Sequence, residues 1–265
     1  MEITSLSSGS SGNCILVSHN ETNILVDCGR SGKHIDSCLG EVGLTGKDID
    51  YILITHEHND HISGVGVYSR KYNLPIYSTV GTFSYINMHN KLGKIAPDNI
   101  HTFDYGQELK LGGVHVIPFK TPHDATQPAC YRFIADGKSA VVATDIGYLS
   151  DSVCEHLLDG ADIAFIEANH DINMLKNGDY PYFLKDRILG DKGHLPNEKS
   201  AEIAVKMIKK GTKHIMLGHL STENNLPKLA YETVKNALEN AGATVGDDVL
   251  LDVANRNEPS KRMIA

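Results

Sequence analysis

A chain of 265 residues with 41% apolar side chains and a formal charge of −8 has the composition of a globular protein able to bury a sizeable core, which excludes a disordered or fibrous molecule. One domain over residues 1–265 is the expectation at this length, with a short polar tail from about 255. The opening MEITSLSSGSSGN lacks a basic cluster followed by an apolar run, and no apolar stretch nears the ~20 residues needed to cross a bilayer, so a cytoplasmic protein with no membrane partner is expected.

In chain order, the apolar runs ITSL, CILVS, NILVD and YILITH, bounded by Gly, Asn and Asp, predict strands, with KHIDSCLGEVG between the last two as a helix. Helices follow over 62–72 and near 79–91, around a short strand at PIYS, and then strands at HTFD, VHVIPF, CYRFIA and SAVVAT. The last hundred residues predict a helix (152–159), the strand ADIAFIE, a helix (180–189), the helix NEKSAEIAVKMIKKG, the strand KHIML, the helix LPKLAYETVKNALENAG and the strand DVLLDV. In the 197–211 helix, Ala201, Ala204, Val205 and Ile208 share the apolar face, and Gly211 stands where a C-cap belongs. The terminal NRNEPSKRMIA reads as a polar tail without a structural role. No short repeat or low-complexity linker interrupts this order, which suits two sheets packed face to face with helices outside.

The five cysteines, Cys14, Cys28, Cys38, Cys130 and Cys154, are odd in number and form no CxxC pair, so buried free thiols are expected rather than disulfides or a thiolate metal site. The fourteen histidines are more than core packing asks for. Four metal-grade side chains, His56, His58, Asp60 and His61, crowd the segment THEHNDH directly after the strand YILI. Strand alternation can aim the first two imidazoles to one side. Imidazole nitrogen and carboxylate oxygen suit zinc, manganese or iron. Three later residues also stand where strands end: His123 in TPHDA, Asp145 in ATDIG and His219 in LGHLS. Each alone is as readily a turn former as a ligand.

Together these residues resemble the metallo-β-lactamase superfamily, whose pattern is an Asp closing an early strand, H-x-H-x-D-H, and then a distant His, Asp and His. Asp27 in ILVDCG fits the first element. The resemblance implies an αββα sandwich of two mixed sheets. It also implies two divalent metal ions, Zn or Mn with Fe as a further option, one held by His56, His58 and His123, the other by Asp60, His61 and His219, with Asp145 bridging. An imidazole at position 58, where flavodiiron relatives carry a carboxylate, points to hydrolysis rather than redox chemistry.

The segments SLSSGSSGNCILV, EANHD, KGHLPN and GHLSTEN are similar to the YycJ/WalJ branch of that superfamily, which implies a 5′ to 3′ DNA exonuclease. Pro196 departs from the Ser expected in the GHLSN-like motif. The Ser7–Gly12 run, with Ser8 and Ser10, reads either as a hairpin turn or as a loop meeting phosphate. Glu167 is a candidate support for a ligand His, His170 a candidate support or substrate contact, and His170 and Asp171 are equally candidate caps of the following helix. Asp60 is the candidate proton acceptor at the attacking water, and His194 the candidate to protonate the leaving oxygen. A net −8 gives no global basic footprint for a DNA substrate, although residues 185–213 hold eight Lys or Arg against four Asp or Glu, a pattern that a solvated helix face explains as well as a DNA track does. A small-molecule metallo-hydrolase acting on a cyclic phosphodiester, thioester or lactone uses the same ligands, and a metal-binding regulatory protein without turnover is the alternative from another class. The sequence leaves the oligomeric state open.

Overall fold

A computed structural model describes residues 1–265. The first half of the chain runs β1 (Glu2–Ser7), β2 (Cys14–His19), β3 (Thr22–Val26), α1 (Gly32–Glu41), β4 (Tyr51–Leu53), α2 (Asn59–Ile62), α3 (Val65–Tyr72), β5 (Ile76–Thr79), α4 (Val80–Met88) and β6 (Ile100–Phe103). The second half runs β7 (Leu109–Leu111), β8 (Val114–Lys120), β9 (Ala129–Ala135), β10 (Lys138–Ala143), α5 (Asp151–Leu158), β11 (Ile163–Glu167), α6 (Ile172–Asn177), α7 (Tyr182–Leu189), α8 (Asn197–Lys209), β12 (His214–Gly218), α9 (Pro227–Asn240), β13 (Leu250–Val253) and β14 (Met263–Ile264).

The strands form two seven-stranded mixed sheets, ordered β14-β1-β2-β3-β4-β5-β6 and β13-β12-β11-β10-β9-β8-β7. Strands buried on both faces read as continuous apolar runs, because each alternate residue enters a different core. In β2, Ile15 and Val17 join the layer between the sheets, which also holds Phe103, Tyr131, Phe133 and Phe165. Cys14 and Leu16 point the other way, to the layer beneath α1 and α3 with Ile35, Leu39 and Tyr68. A third apolar layer packs α5, α8 and α9 on the outer face of the second sheet. The architecture is the expected αββα sandwich.

Several local expectations need correction. The helix expected over 62–72 is two helices broken at Ser63–Gly64, where the chain passes so near the 27–30 loop that a Cβ on Gly64 would lie 2.0 Å from Arg30 O. On α8 the buried face is Ser200, Ala201, Ile203, Ala204 and Met207. Val205 and Ile208 are only partly covered, because α9 packs along the helix and rotates the covered face. Strand β7 and helix α6, both short, carry too few periods to have been read from sequence. The terminal residues are no free tail: Met263 is fully buried and pairs with Ile3 as β14 closes the edge of the first sheet. Two apolar residues among polar neighbours give no periodic signal, yet one of them fills the inter-sheet core. All five cysteines are free.

If the terminus matters as its burial indicates, Met263→Ala should cost about 2–4 kcal/mol through the cavity it leaves, read as a lowered urea midpoint with an unchanged slope. A shift near zero would restore the reading of an inert tail.

Candidate metal centre

Strands β3 and β4 run parallel in one sheet, and β10, β11 and β12 run parallel in the other. Their C-terminal ends, with that of β8, therefore meet at one edge of the sandwich. Asp27 follows β3, His56 and His58 follow β4, His123 follows β8, Asp145 follows β10 and His219 follows β12. Asp27, Asp145 and His219 each leave their strand in the left-handed backbone conformation, at φ 61°, 58° and 55°. Non-glycine residues pay for that conformation, so it survives where the surroundings over-determine it, typically at functional positions.

The donor atoms of the seven expected ligands converge. His56 Nε2 lies 3.0 Å from His58 Nδ1, and His123 Nε2 lies 3.3 Å from the same atom. On the other side, Asp60 Oδ2 is 3.5 Å from His61 Nε2 and 3.7 Å from His219 Nε2. Asp145 stands between the two groups, with Oδ2 3.3 Å from His61 Nε2 and Oδ1 3.6 Å from His123 Nε2. Atoms bound to one ion at ~2.1 Å sit about 3.0–3.4 Å apart in octahedral or tetrahedral geometry, so these separations fit ion coordination. Two buried atoms add to the fit: Asp145 Oδ2 and His219 Nε2 have no hydrogen-bond partner in the protein, an uncommon state for buried polar atoms in general.

The supporting contacts fix which ring nitrogen faces the centre. Asp27 accepts from Thr55 N and Thr55 Oγ1, each at 2.8 Å, and from His61 Nδ1 at 2.7 Å, leaving His61 Nε2 for the centre. Thr55 Oγ1 in turn accepts from His56 Nδ1 at 3.0 Å. His123 Nδ1 donates to Gly193 O at 3.2 Å. Glu167 has no exposed surface. Its Oε1 accepts from His194 Nδ1 at 2.7 Å and His219 Nδ1 at 2.9 Å, while Oε2 accepts from Ile146 N at 2.8 Å and Leu195 N at 3.2 Å. Both its oxygens are thus engaged by donors, an arrangement that suits the support of neighbouring imidazoles, although Glu167 Oε1 also converges with donor atoms of Asp145, His194 and His219.

Titration follows from these neighbours. Burial and the surrounding imidazoles hold His56 well below the usual histidine range, and burial lowers His123 despite Asp145. Both are neutral, as ligands must be. Burial opposes charge on His219, but Asp145, Asp60 and Glu167 outweigh it and push the imidazole up to about 10. His61 rises for the same reason, beside Asp145, Asp27 and Asp60. Burial works against ionisation of Asp60, yet His61 and His219 hold its carboxyl well below the usual range. Four acidic side chains thus draw in cationic charge.

Of the remaining expected residues, Ser8 Oγ accepts from His219 N at 2.7 Å, a structural role, and Ser10 is exposed at the mouth of the metal cavity. His194 lines that cavity. His170 is fully buried and belongs to none of the groups whose donor atoms converge. Asp171 rather than His170 caps α6, accepting from Met174 N at 2.8 Å. Of the basic run 185–213, Arg187 lines the metal cavity. Lys206, Lys209, Lys210 and Lys213 are exposed near the start of β12, whereas His219 follows its end. For those four lysines the solvated-face reading holds.

Four residues escaped the sequence reading. Asn13 accepts from Gly9 N at 2.8 Å through Oδ1, and its Nδ2 lies 3.2 Å from His61 Nε2; its place at the end of the Ser/Gly run was the available signal. Glu57, inside the histidine motif, takes Thr126 N and Thr126 Oγ1 at 2.6 Å and so clasps the His123 loop. Asp124 Oδ1 lies 3.4 Å from His123 Nε2, and Arg187 is ion-paired to its other oxygen. No local pattern announces these last two, since α7 has no buried residue and reaches the centre only through tertiary folding.

Replacing Asp27 with Asn, which puts an NH2 group where one of the two accepting oxygens stands, should weaken divalent-metal binding about 10- to 100-fold, measured by competition with a chromogenic chelator. Unchanged affinity would remove Asp27 from the support of His61.

Residues 22–219 match the family described as "Beta-lactamase superfamily domain". The chain is 44% identical over 243 residues to "Exodeoxyribonuclease WalJ" of Streptococcus pneumoniae serotype 2 (strain D39), covering 92% of this chain and 90% of that protein. It is 39% identical over 256 residues to "Exodeoxyribonuclease YycJ" of Bacillus anthracis, covering 97% and 96%. Its fold matches that of the metallo-β-lactamase fold protein YhfI from Bacillus subtilis with a TM-score of 0.71 at 18% identity, covering 98% of this chain and 99% of that one. Sequence and fold agree, and the chain belongs to the metallo-β-lactamase superfamily.

Proposed function

We propose that residues 1–265 work as one domain, a cytoplasmic exodeoxyribonuclease that hydrolyses DNA from the 5′ end with two divalent ions, zinc or manganese, or iron. The observation that carries this reading is the convergence of seven donor atoms at ion-coordination spacing, in a chain alike over most of its length to proteins named exodeoxyribonucleases. His56, His58 and His123 would hold one ion, and Asp60, His61 and His219 the other, with Asp145 shared. Bound there, the ions would acidify a water molecule and offset the negative charge of the phosphodiester. No helix is long and apolar enough to cross a membrane.

The side chains divide the remaining work. Asp60, kept ionised by His61 and His219, takes the proton of the attacking water. His194 Nδ1 donates a hydrogen bond to the buried Glu167 carboxylate, leaving Nε2 to carry the proton that the leaving oxygen needs. Arg187, braced by Asp124, adds the positive charge that an acidic surface otherwise denies to phosphate. Ser10 and the loop around it stand at the mouth of the cavity.

Purified protein with Mn or Zn should release label from 5′-labelled DNA faster than from 3′-labelled DNA, and Asp60→Ala should abolish release. Turnover of a small ester with intact DNA would transfer the function to a small-molecule hydrolase. For His194 the diagnostic is the leaving group. His194→Ala should lower kcat on DNA by roughly 10²- to 10⁴-fold but slow p-nitrophenyl phosphodiesters far less, because nitrophenolate leaves without a proton. An equal loss on both substrates would deny His194 the acid role.

A further inference from the structure

Two of the sequence segments without a metal ligand, EANHD (167–171) and KGHLPN (192–197), come together in the fold. A parallel bridge joins His170 to Pro196, and Asn197 N donates to His170 O at 2.9 Å. These segments wall a cavity of about 500 Å³ whose opposite sides include Tyr148, Leu149, Ile172 and Leu189. His194 is its partition with the metal centre, since it lines this cavity and the metal cavity alike. His170, in the wall, has no exposed surface, and neither of its ring nitrogens has a hydrogen-bond partner. A neutral imidazole left in that state offers one donor and one acceptor.

We propose that this cavity receives the nucleobase of the terminal nucleotide of a DNA strand while the adjoining phosphodiester lies at the metal centre. The inference rests on the nuclease reading above and extends it to how the protein meets a strand end. The volume falls within the range of small-molecule sites. Tyr148 and the aliphatic walls suit the flat, apolar faces of a base, and stacking of this kind tolerates any sequence. The unpartnered nitrogens of His170 suit the polar edge. Lys199 and Glu202, both exposed, line the cavity from α8. An inorganic anion would find a largely apolar wall, so a base is the better occupant. A cavity that seats one nucleoside beside the scissile bond favours cleavage at an end over cleavage within a strand. It also gives a place to Pro196, whose ring adds apolar wall where a hydroxyl would not.

The test compares one oligonucleotide bearing an ordinary 5′-terminal nucleotide with the same oligonucleotide bearing an abasic tetrahydrofuran residue there. Methyl p-nitrophenyl phosphate serves as a substrate with no base at all. The full-length metal-loaded protein should prefer the base-bearing end by at least about tenfold in kcat/KM. Ile172→Trp, which fills the cavity from a partly exposed position, should bring that ratio toward one. Tyr148→Ala, at a side chain 49% exposed and therefore unimportant to folding, should reduce the ratio as well. Equal kcat/KM for the two ends in the unmodified protein, or a ratio unmoved in both variants, overturns the base site while leaving the nuclease reading intact. Metal-dependent cleavage of methyl p-nitrophenyl phosphate with no DNA degradation overturns both.

Discussion

Burying a carboxylate is costly unless hydrogen bonds and nearby positive charge replace its water. Glu167 satisfies that condition with four donors from three separate segments: the rings of His194 and His219 and the backbone of Ile146 and Leu195. Burial favours its neutral form, yet His194 and His219 hold it ionised and well below the usual carboxylate range. Each donor belongs to a loop that leaves the C-terminal edge of the second sheet or approaches it. The same carboxylate therefore sets the orientation of one expected ligand, positions the ring that separates two cavities, and pins the turn that carries Asp145. The first sheet repeats the device on a smaller scale, with Asp27 tying Thr55 to His61.

The charge balance follows from the same geometry. A chain of net charge −8 for which a polyanionic substrate is proposed gathers still more acid at its centre, where Asp27, Asp60, Asp145 and Glu167 lie within a few side chains of one another. Those carboxylates raise His61 and His219 toward permanent protonation. Divalent ions neutralise the same acids and release those protons, so metal affinity and acidity of the medium compete directly. The surface charge of the whole protein is then a poor guide to its partner, and the local field at one edge of the sandwich is the relevant quantity.

The convergence of the candidate ligands could be anticipated from the sequence because they obey local rules. Four sit in one six-residue segment after an apolar strand, and the others stand at strand ends, which periodicity locates well. The sandwich was legible for the same reason, since doubly buried strands appear as unbroken apolar runs. What escaped depends on contacts between distant segments. Asp124 and Arg187 are 63 residues apart, and their pairing emerges only when α7 settles over the centre. Met263 counts as a strand residue only because β1 offers a free edge, and the covered face of α8 depends on where α9 lies. The surroundings of His170 were hidden for the same reason: neither ring nitrogen has a hydrogen-bond partner, and its backbone pairs with the 192–197 segment.

The left-handed turns at Asp27, Asp145 and His219 carry an energetic consequence. Each costs the folded chain on the order of 1 kcal/mol that glycine would not pay, and none of the three apolar layers needs those side chains. Glycine at these places would relieve the backbone but would strip Thr55 and His61 of the Asp27 carboxylate and Glu167 of the His219 ring. The strain is therefore offset by contacts that the same side chains make, so the edge of the sandwich is shaped and held together by one set of residues.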